Sequence, residues 1–378
     1  MGSGKMGRGN LVGRVFPPVA APPSSESEGG TEDVSRREFL QAGALLGAAA
    51  VVPGCASAPR APARSSAASG RTDMLYDVLI VGGGPGGLAA ALALGRARKR
   101  VLLCDSGTRR NAAASHLHNF VTRDGTPPEE FRRIGREQLA TYPNVEVRDV
   151  RVASVSGTRG AFFIRLESGE VQARRVLLCT GMIDEALPIE GFSELWGHAI
   201  FQCPYCHGWE VQDRRWGVLL DAANVAMLVP FALMLRGWTR DLVVFKTDAF
   251  DVAAESSAQL QRAGVRVETA PVRRLIGRGR SLEAVELSTG DRVPRDVLFA
   301  HPPQRQVDLV RSLGLTLNEH GFVQVEAMKG ETSVPGVFAA GDLTTRGQAA
   351  IFASSASVLA ATMINFELNS ELALSGAL

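Results

Sequence analysis

The chain of 378 residues is long enough for two domains and a tail. Its 45% hydrophobic and 21% charged residues describe a soluble globular body with ample material for sizeable cores. The net charge of +2 is unevenly spread: residues 1–72 hold eight Lys/Arg and five Asp/Glu, leaving 33 basic and 34 acidic residues in the body. That balance excludes a nucleic-acid surface.

Residues 1–34 are rich in Gly, Pro, Ser and Glu and lack apolar periodicity, which predicts disorder. Ser35-Arg36-Arg37-Glu38-Phe39-Leu40 and the Ala/Gly/Leu run to Val52 resemble a twin-arginine export signal. The run is too short and too rich in Ala and Gly for a permanent membrane span. Val52-Pro53-Gly54-Cys55 resembles a lipoprotein cleavage box that would make Cys55 a lipid anchor, whereas Ala56-Ser57-Ala58 resembles an ordinary signal-peptidase site. Both stay open. Pro59 to Arg71 reads as a linker, and the folded body is expected from Asp73.

Tyr76-Asp77-Val78-Leu79-Ile80-Val81, apolar except at Asp77, reads as a strand of a parallel sheet buried on both faces. Gly82-Gly83-Gly84-Pro85-Gly86-Gly87 follows at once, and Leu88–Arg98 predicts a helix. In a dinucleotide-binding turn, Gly82 would allow the tight bend, Gly84 the approach of a pyrophosphate, and Gly87 close packing of helix on strand. The next strand, Arg100–Cys104, ends at Asp105, where a carboxylate would accept hydrogen bonds from ribose hydroxyls. Further on, Pro127–Tyr142 reads as an amphipathic helix, and Ala161–Glu167 and Val171–Leu178 as strands. Gly336–Asp342 reads as a strand ending in Gly-Asp, with a helix start at Gln348-Ala349-Ala350. Cys104 and Cys179 end apolar runs and are expected to be buried, inert thiols.

Phe201-Gln202-Cys203-Pro204-Tyr205-Cys206-His207-Gly208-Trp209-Glu210 carries the chemistry. Two cysteines at this spacing close a small disulfide, and His207 beside them can hold or deliver a proton that tunes thiolate and redox poise. A structural disulfide closing so short a loop would add little stability. A zinc site would need a fourth ligand, and no second Cys-x-x-Cys or His-x-x-x-His supplies one.

Together, Gly82-x-Gly84-x-x-Gly87, Asn119, Thr180-Gly181, Cys203-x-x-Cys206 and Gly341-Asp342 with Gln348-Ala349 resemble the low-molecular-weight thioredoxin reductase family of flavoproteins. The resemblance implies an α/β fold of two Rossmann-like dinucleotide-binding domains, the FAD domain being split by an inserted NAD(P)-type domain that carries the cysteine pair. The expected boundaries are a tail over 1–72, FAD-binding parts over 73–192 and 299–378, and the insert over 193–298. The implied FAD-binding residues are Gly82, Gly84, Pro85, Gly87, Asp105, Ser106, Asn119, Gly181, Gly341, Asp342, Gln348 and Ala349. No metal is implied, and a homodimer is. Cys206 would lie beside the flavin and Cys203 would attack substrate. Cys-Pro-Tyr-Cys-His-Gly-Trp-Glu is closer to a branch that includes dithiol oxidases, with His207 where thioredoxin reductases proper carry an acid.

The insert departs from the family at its nucleotide turn. Asp221-Ala222-Ala223-Asn224-Val225 stands where a glycine turn is expected after Trp216–Leu220, and no glycine occurs between Gly217 and Gly237. Cβ atoms there crowd a pyrophosphate and Asp221 repels it, while Lys246 alone stands for the arginines that hold the 2′-phosphate. The expectation is therefore an exported FAD-dependent dithiol oxidase, acting on a small-molecule or protein dithiol and passing electrons to oxygen or a quinone, with NADPH binding weakened. The alternatives are an NAD(P)H-dependent disulfide reductase and a non-catalytic flavin-binding redox sensor.

Overall fold

The computed structural model describes residues 75–248 and 250–376. The twin-arginine motif, Cys55 and the linker lie outside these residues. Apolar runs dictate the first layer. Strands β1 (Leu75–Val81) and β2 (Val101–Cys104) flank helix α1 (Pro85–Arg96). Helix α2 (Pro128–Ala140) precedes β3 (Val145–Arg148), β4 (Val152–Thr158), β5 (Ala161–Leu166) and β6 (Gly169–Leu178). They form one sheet in the order β3-β2-β1-β6-β5-β4. Pairing is parallel from β3 to β6 and antiparallel from β6 to β4.

Successive side chains of β1 enter different cores. Leu79 and Val81 pack with Leu102, Phe162 and Val176 on one face, and Val78 and Ile80 with Val101, Leu103 and α1 on the other. This double burial explains the unbroken apolar run Val78–Val81.

The second layer is all parallel. Strands β8 (Ile200–Phe201), β9 (Trp216–Leu220), β10 (Leu242–Lys246), β11 (Arg266–Val267) and β15 (Val297–Ala300) order as β11-β10-β9-β15-β8. Between β11 and β15, strands β12 (Val272–Arg278), β13 (Ser281–Leu287) and β14 (Arg292–Pro294) form a small antiparallel sheet. The chain leaves the first sheet through β7 (Ile183–Asp184) and returns through β16 (Gln304–Arg305), and these two pair antiparallel as a ribbon. It then adds β17 (Val337–Ala339) beside the C-terminal half of β6 and ends in α3 (Ala350–Leu374). Ala360, Ala361, Ile364 and Leu368 of α3 share a core with Ala90, Ala91 and Leu94 of α1.

Two boundary shifts have a clear backbone cause. Helix α1 begins at Pro85 rather than Leu88, because proline is tolerated in a helix's first turn and the glycines continue it. The expected Gly336–Asp342 strand shrinks to three residues, since Gly341 turns at φ +91°. Two glycines set the spacing of α1 on the sheet. Gly82 has φ +109°, and a Cβ there would lie 2.4 Å from the Cys179 carbonyl oxygen. A Cβ on Gly87 would lie 1.8 Å from the Gly82 carbonyl oxygen. Gly87→Ala must therefore push α1 off β1, costing about 3 kcal/mol by overpacking. Urea denaturation should show that loss, and the purified variant should retain less flavin absorbance than the parent.

Candidate active site

The C-terminal ends of β1, β2 and β6 open on a cleft of about 1300 Å3. Its wall contains Gly82, Gly84, Pro85, Asp105, Ser106 and Asn119 from the first half of the chain. Gly181, Cys203, Cys206 and His207 line it from the middle, and Gly341, Asp342, Gln348 and Ala349 from the C-terminal part. Gly87 is the one sequence-selected residue behind the wall, where it seats the helix. Both α1 and α3 begin at the cleft without a side-chain cap. Their first-turn N–H groups are left for an anion, and nothing lies within 4 Å of the Cβ position of Gly84. A dinucleotide's pyrophosphate fits that donor set.

The carboxylates are held by arginines that the sequence did not single out. Asp105 accepts from Arg132 Nε at 2.9 Å and from the Gly107 N–H at 3.0 Å, with Arg136 at 3.6 Å. Asp342 is drawn above the ordinary carboxylate range by burial, an effect opposed by Arg110, whose Nη1 donates to it at 3.2 Å. Arg110 and Arg132 lie on a 3-10 turn and a polar helix, where arginine is common, so no spacing marked them.

Cys203 and Cys206 form a disulfide with Cα atoms 5.3 Å apart, at the start of a single helical turn, Pro204–His207. Asn119, in the left-handed region at φ +61°, donates from its side-chain amide to the Tyr205 carbonyl and so ties the turn to the first half of the chain. Tyr205 and Trp209 are 63% and 73% exposed on either side of Cys206 in sequence. The His207 ring stacks on Phe201 with centroids 4.3 Å apart, and its Nδ1 is buried. Burial holds its pKa below the ordinary value, with the Glu210 charge and the Cys203 backbone opposing, which favours the uncharged ring. Burial pushes the Cys104 and Cys179 thiols up to about 12, which keeps both protonated. Among the described residues no three His, Cys, Asp or Glu are placed to hold a metal ion.

A second cavity of about 270 Å3 opens behind His207 and is also lined by His116, His118, His198 and Glu210. His118 Nε2 lies 3.3 Å from Glu210 Oε1. In the second sheet, β9 leads through Asp221 into a 3-10 turn over Ala222–Met227 and a helix, Leu228–Leu235, with Pro230 in its first turn. Lys246 Nζ donates to the Phe250 carbonyl at 2.8 Å.

This arrangement of a dinucleotide cleft and a redox disulfide defines a class. Residues 76–357 match the pyridine nucleotide-disulphide oxidoreductase family, to which the chain belongs. It is an oxidoreductase acting on thiol and disulfide groups, of thioredoxin reductase-like type, and FAD is its cofactor, with NADPH the family's nucleotide. Thioredoxin reductase tcpT of Claviceps purpurea is 32% identical, over 72% of this chain and 87% of its own. Thioredoxin reductase sirT of Leptosphaeria maculans is 29% identical, over 78% and 94%. The crystal structure of an oxidoreductase from Agrobacterium tumefaciens superimposes with a TM-score of 0.72 at 35% identity, covering 78% of this chain and 99% of its own.

His301, at the end of β15, lines the same cleft, packs edge-on against Phe231 at 5.0 Å, and has its pKa lowered to about 4 by burial and by Arg346 and Arg110. Its folded value lies below the ordinary 6.5, so stability is full above pH 6.5 and is lost as pH falls toward 4, where the unfolded chain takes up the proton first. The loss is on the order of 3 kcal/mol. Denaturation of the apoprotein at pH 7.5 and 4.5 should show it, and His301→Gln should reduce the difference.

Proposed function

We propose that the protein is an FAD-dependent dithiol oxidase, closing disulfides in a small-molecule or protein substrate through Cys203–Cys206. The observation that carries the direction is the turn after β9. A pyrophosphate needs backbone N–H groups at close range, and a glycine-free 3-10 segment behind Asp221 offers a poor cradle. Lys246 is engaged by Phe250.

A substrate thiolate attacks Cys203 Sγ, breaking the Cys203–Cys206 bond and forming a mixed disulfide. The second substrate thiolate attacks the substrate sulfur of that bond and expels Cys203, releasing substrate disulfide. The expelled Cys206 and Cys203 thiolates take up the two protons that the substrate thiols gave up, so two electrons and two protons then rest on the cysteine pair. His207, neutral and beside the pair, takes the proton that frees the Cys206 thiolate. Bound FAD supplies the two-electron acceptor that restores the disulfide, with oxygen or a quinone as the final acceptor.

A second reading, an NAD(P)H-dependent disulfide reductase, is favoured by the names of the fungal relatives and by the family's use of NADPH. Anaerobic flavin spectra separate the two. Dithiothreitol should bleach the flavin, and millimolar NADPH should leave it oxidised. Cys206→Ser should abolish bleaching, while Cys203→Ser should show a long-wavelength band from the Cys206 thiolate against the flavin. Bleaching by micromolar NADPH or NADH at a turnover rate would favour the reductase, and a flavin indifferent to both reagents would make the protein a redox sensor.

Export by the twin-arginine route to the periplasm, or to a membrane through lipid on Cys55, completes the proposal, because disulfide formation is the favoured direction there. A homodimer is supported by the apolar stripe of Ile351, Phe352, Val358, Leu359 and Phe366 exposed on α3. Replacing Arg36 and Arg37 with lysine should retain the precursor in the cytoplasm, read by fractionation.

A further inference from the structure

One side chain gathers several of the segments around the disulfide. Arg110 lies in a 3-10 turn, Arg110–Ala113, with its guanidinium largely buried. It grips Asp184 in a fork, Nε to Oδ2 at 2.7 Å and Nη2 to Oδ1 at 2.8 Å. Asp184 belongs to β7, half of the ribbon through which the chain passes between the two sheets. The other half, β16, is tied to the same point, since Gln304 Nε2 donates to Asp184 at 2.7 Å and to Gln348 at 3.0 Å. Gln348 returns a bond from its own Nε2 to Gln304 Oε1 at 2.9 Å. Arg110 also donates to Asp342 at 3.2 Å, to Gln348, and to the side-chain oxygen of Gln202. Gln202 immediately precedes Cys203, and its amide donates to Gln348 at 3.3 Å.

We propose that Arg110 is the positioning residue of the redox pair: it locks the β7–β16 ribbon and, through Gln202, fixes Cys203–Cys206 relative to the FAD cleft. The inference deepens the proposed reaction and rests on it for its kinetic part. A planar guanidinium suits the role, because a fork on Asp184 leaves the remaining N–H groups at fixed angles for Gln202, Asp342 and Gln348. A lysine ammonium cannot make that fork. Gln202 would be an ordinary edge-strand residue without this contact, for it follows a two-residue strand, β8, with little pairing of its own. Transfer between a disulfide and a neighbouring acceptor is steep in position, and a displacement of about 1 Å can cost roughly a hundredfold in rate.

The test uses three FAD-loaded variants, Gln202→Leu, Arg110→Lys and Arg110→Met, with two readouts. The first is the rate of anaerobic flavin bleaching by dithiothreitol. The second is hydrogen exchange of the peptides spanning 182–186 and 303–307, which needs no turnover. The expected result is that Gln202→Leu keeps its flavin and bleaches at least about tenfold more slowly. Both Arg110 variants should bleach more slowly still and exchange faster in the two ribbon peptides. Wild-type bleaching in Gln202→Leu would overturn the proposal. So would unchanged ribbon exchange in Arg110→Met, or loss of flavin from the Arg110 variants with Gln202→Leu behaving as wild type, which would make Arg110 a cofactor ligand alone. If dithiothreitol fails to bleach the wild-type protein, the oxidase reading falls, and ribbon exchange in Arg110→Met still decides the lock.

Discussion

The contact of Gly87 with the Gly82 carbonyl governs the rest of the site. It lets α1 sit against β1 with its uncapped first turn aimed along the sheet toward the cleft. The helix start is one of two such donor clusters, the other being the beginning of α3. Both depend on α1 and α3 packing closely, and small residues allow that. Ala90, Ala91, Ala360 and Ala361 are all fully buried, and a Cβ on Gly86 would lie 2.6 Å from Ser357 Oγ. Cofactor chemistry in this fold is thus a product of backbone proximity, with side chains added at the rim.

The rim is where charge is managed. Arg175 is fully buried in β6 and is met by Glu367 at 3.3 Å and by Glu371, both near the end of α3. This pairing anchors the far end of the helix whose beginning faces the cleft. Arg110 and Arg132 do the same for Asp342 and Asp105, holding carboxylates that would otherwise crowd an anionic ligand with unpaired charge. His207 takes the opposite course, since its burial against Phe201 favours the uncharged ring.

Much of this was legible in the chain. The apolar run Val78–Val81, its glycines and the acid after the next strand are local, and each rests on a backbone requirement that few residues meet. The cysteine pair with His207 is equally local. Arg110, Gln202 and Gln304 were not legible, because their meaning arises only when segments nearly 200 residues apart meet. The same holds for His116, His118 and His198, which share a cavity only in the fold. Helix α1 began earlier than its apolar periodicity suggested, because Gly86 and Gly87 were read as turn residues when they form the helix's first turn.

Strand β6 has a consequence for the order of assembly. Its first half pairs with β5 and its second half with β17, so the sheet's central strand keeps an open edge until residues 337–339 arrive. The all-parallel second sheet lies wholly between residues 200 and 300, so all its strands precede β17. On a ribosome, the insert can close while Val176–Leu178 still waits for a partner made some 160 residues later, and such long-range pairing is intrinsically slow. By chain order, β17 is the last strand to join the first sheet.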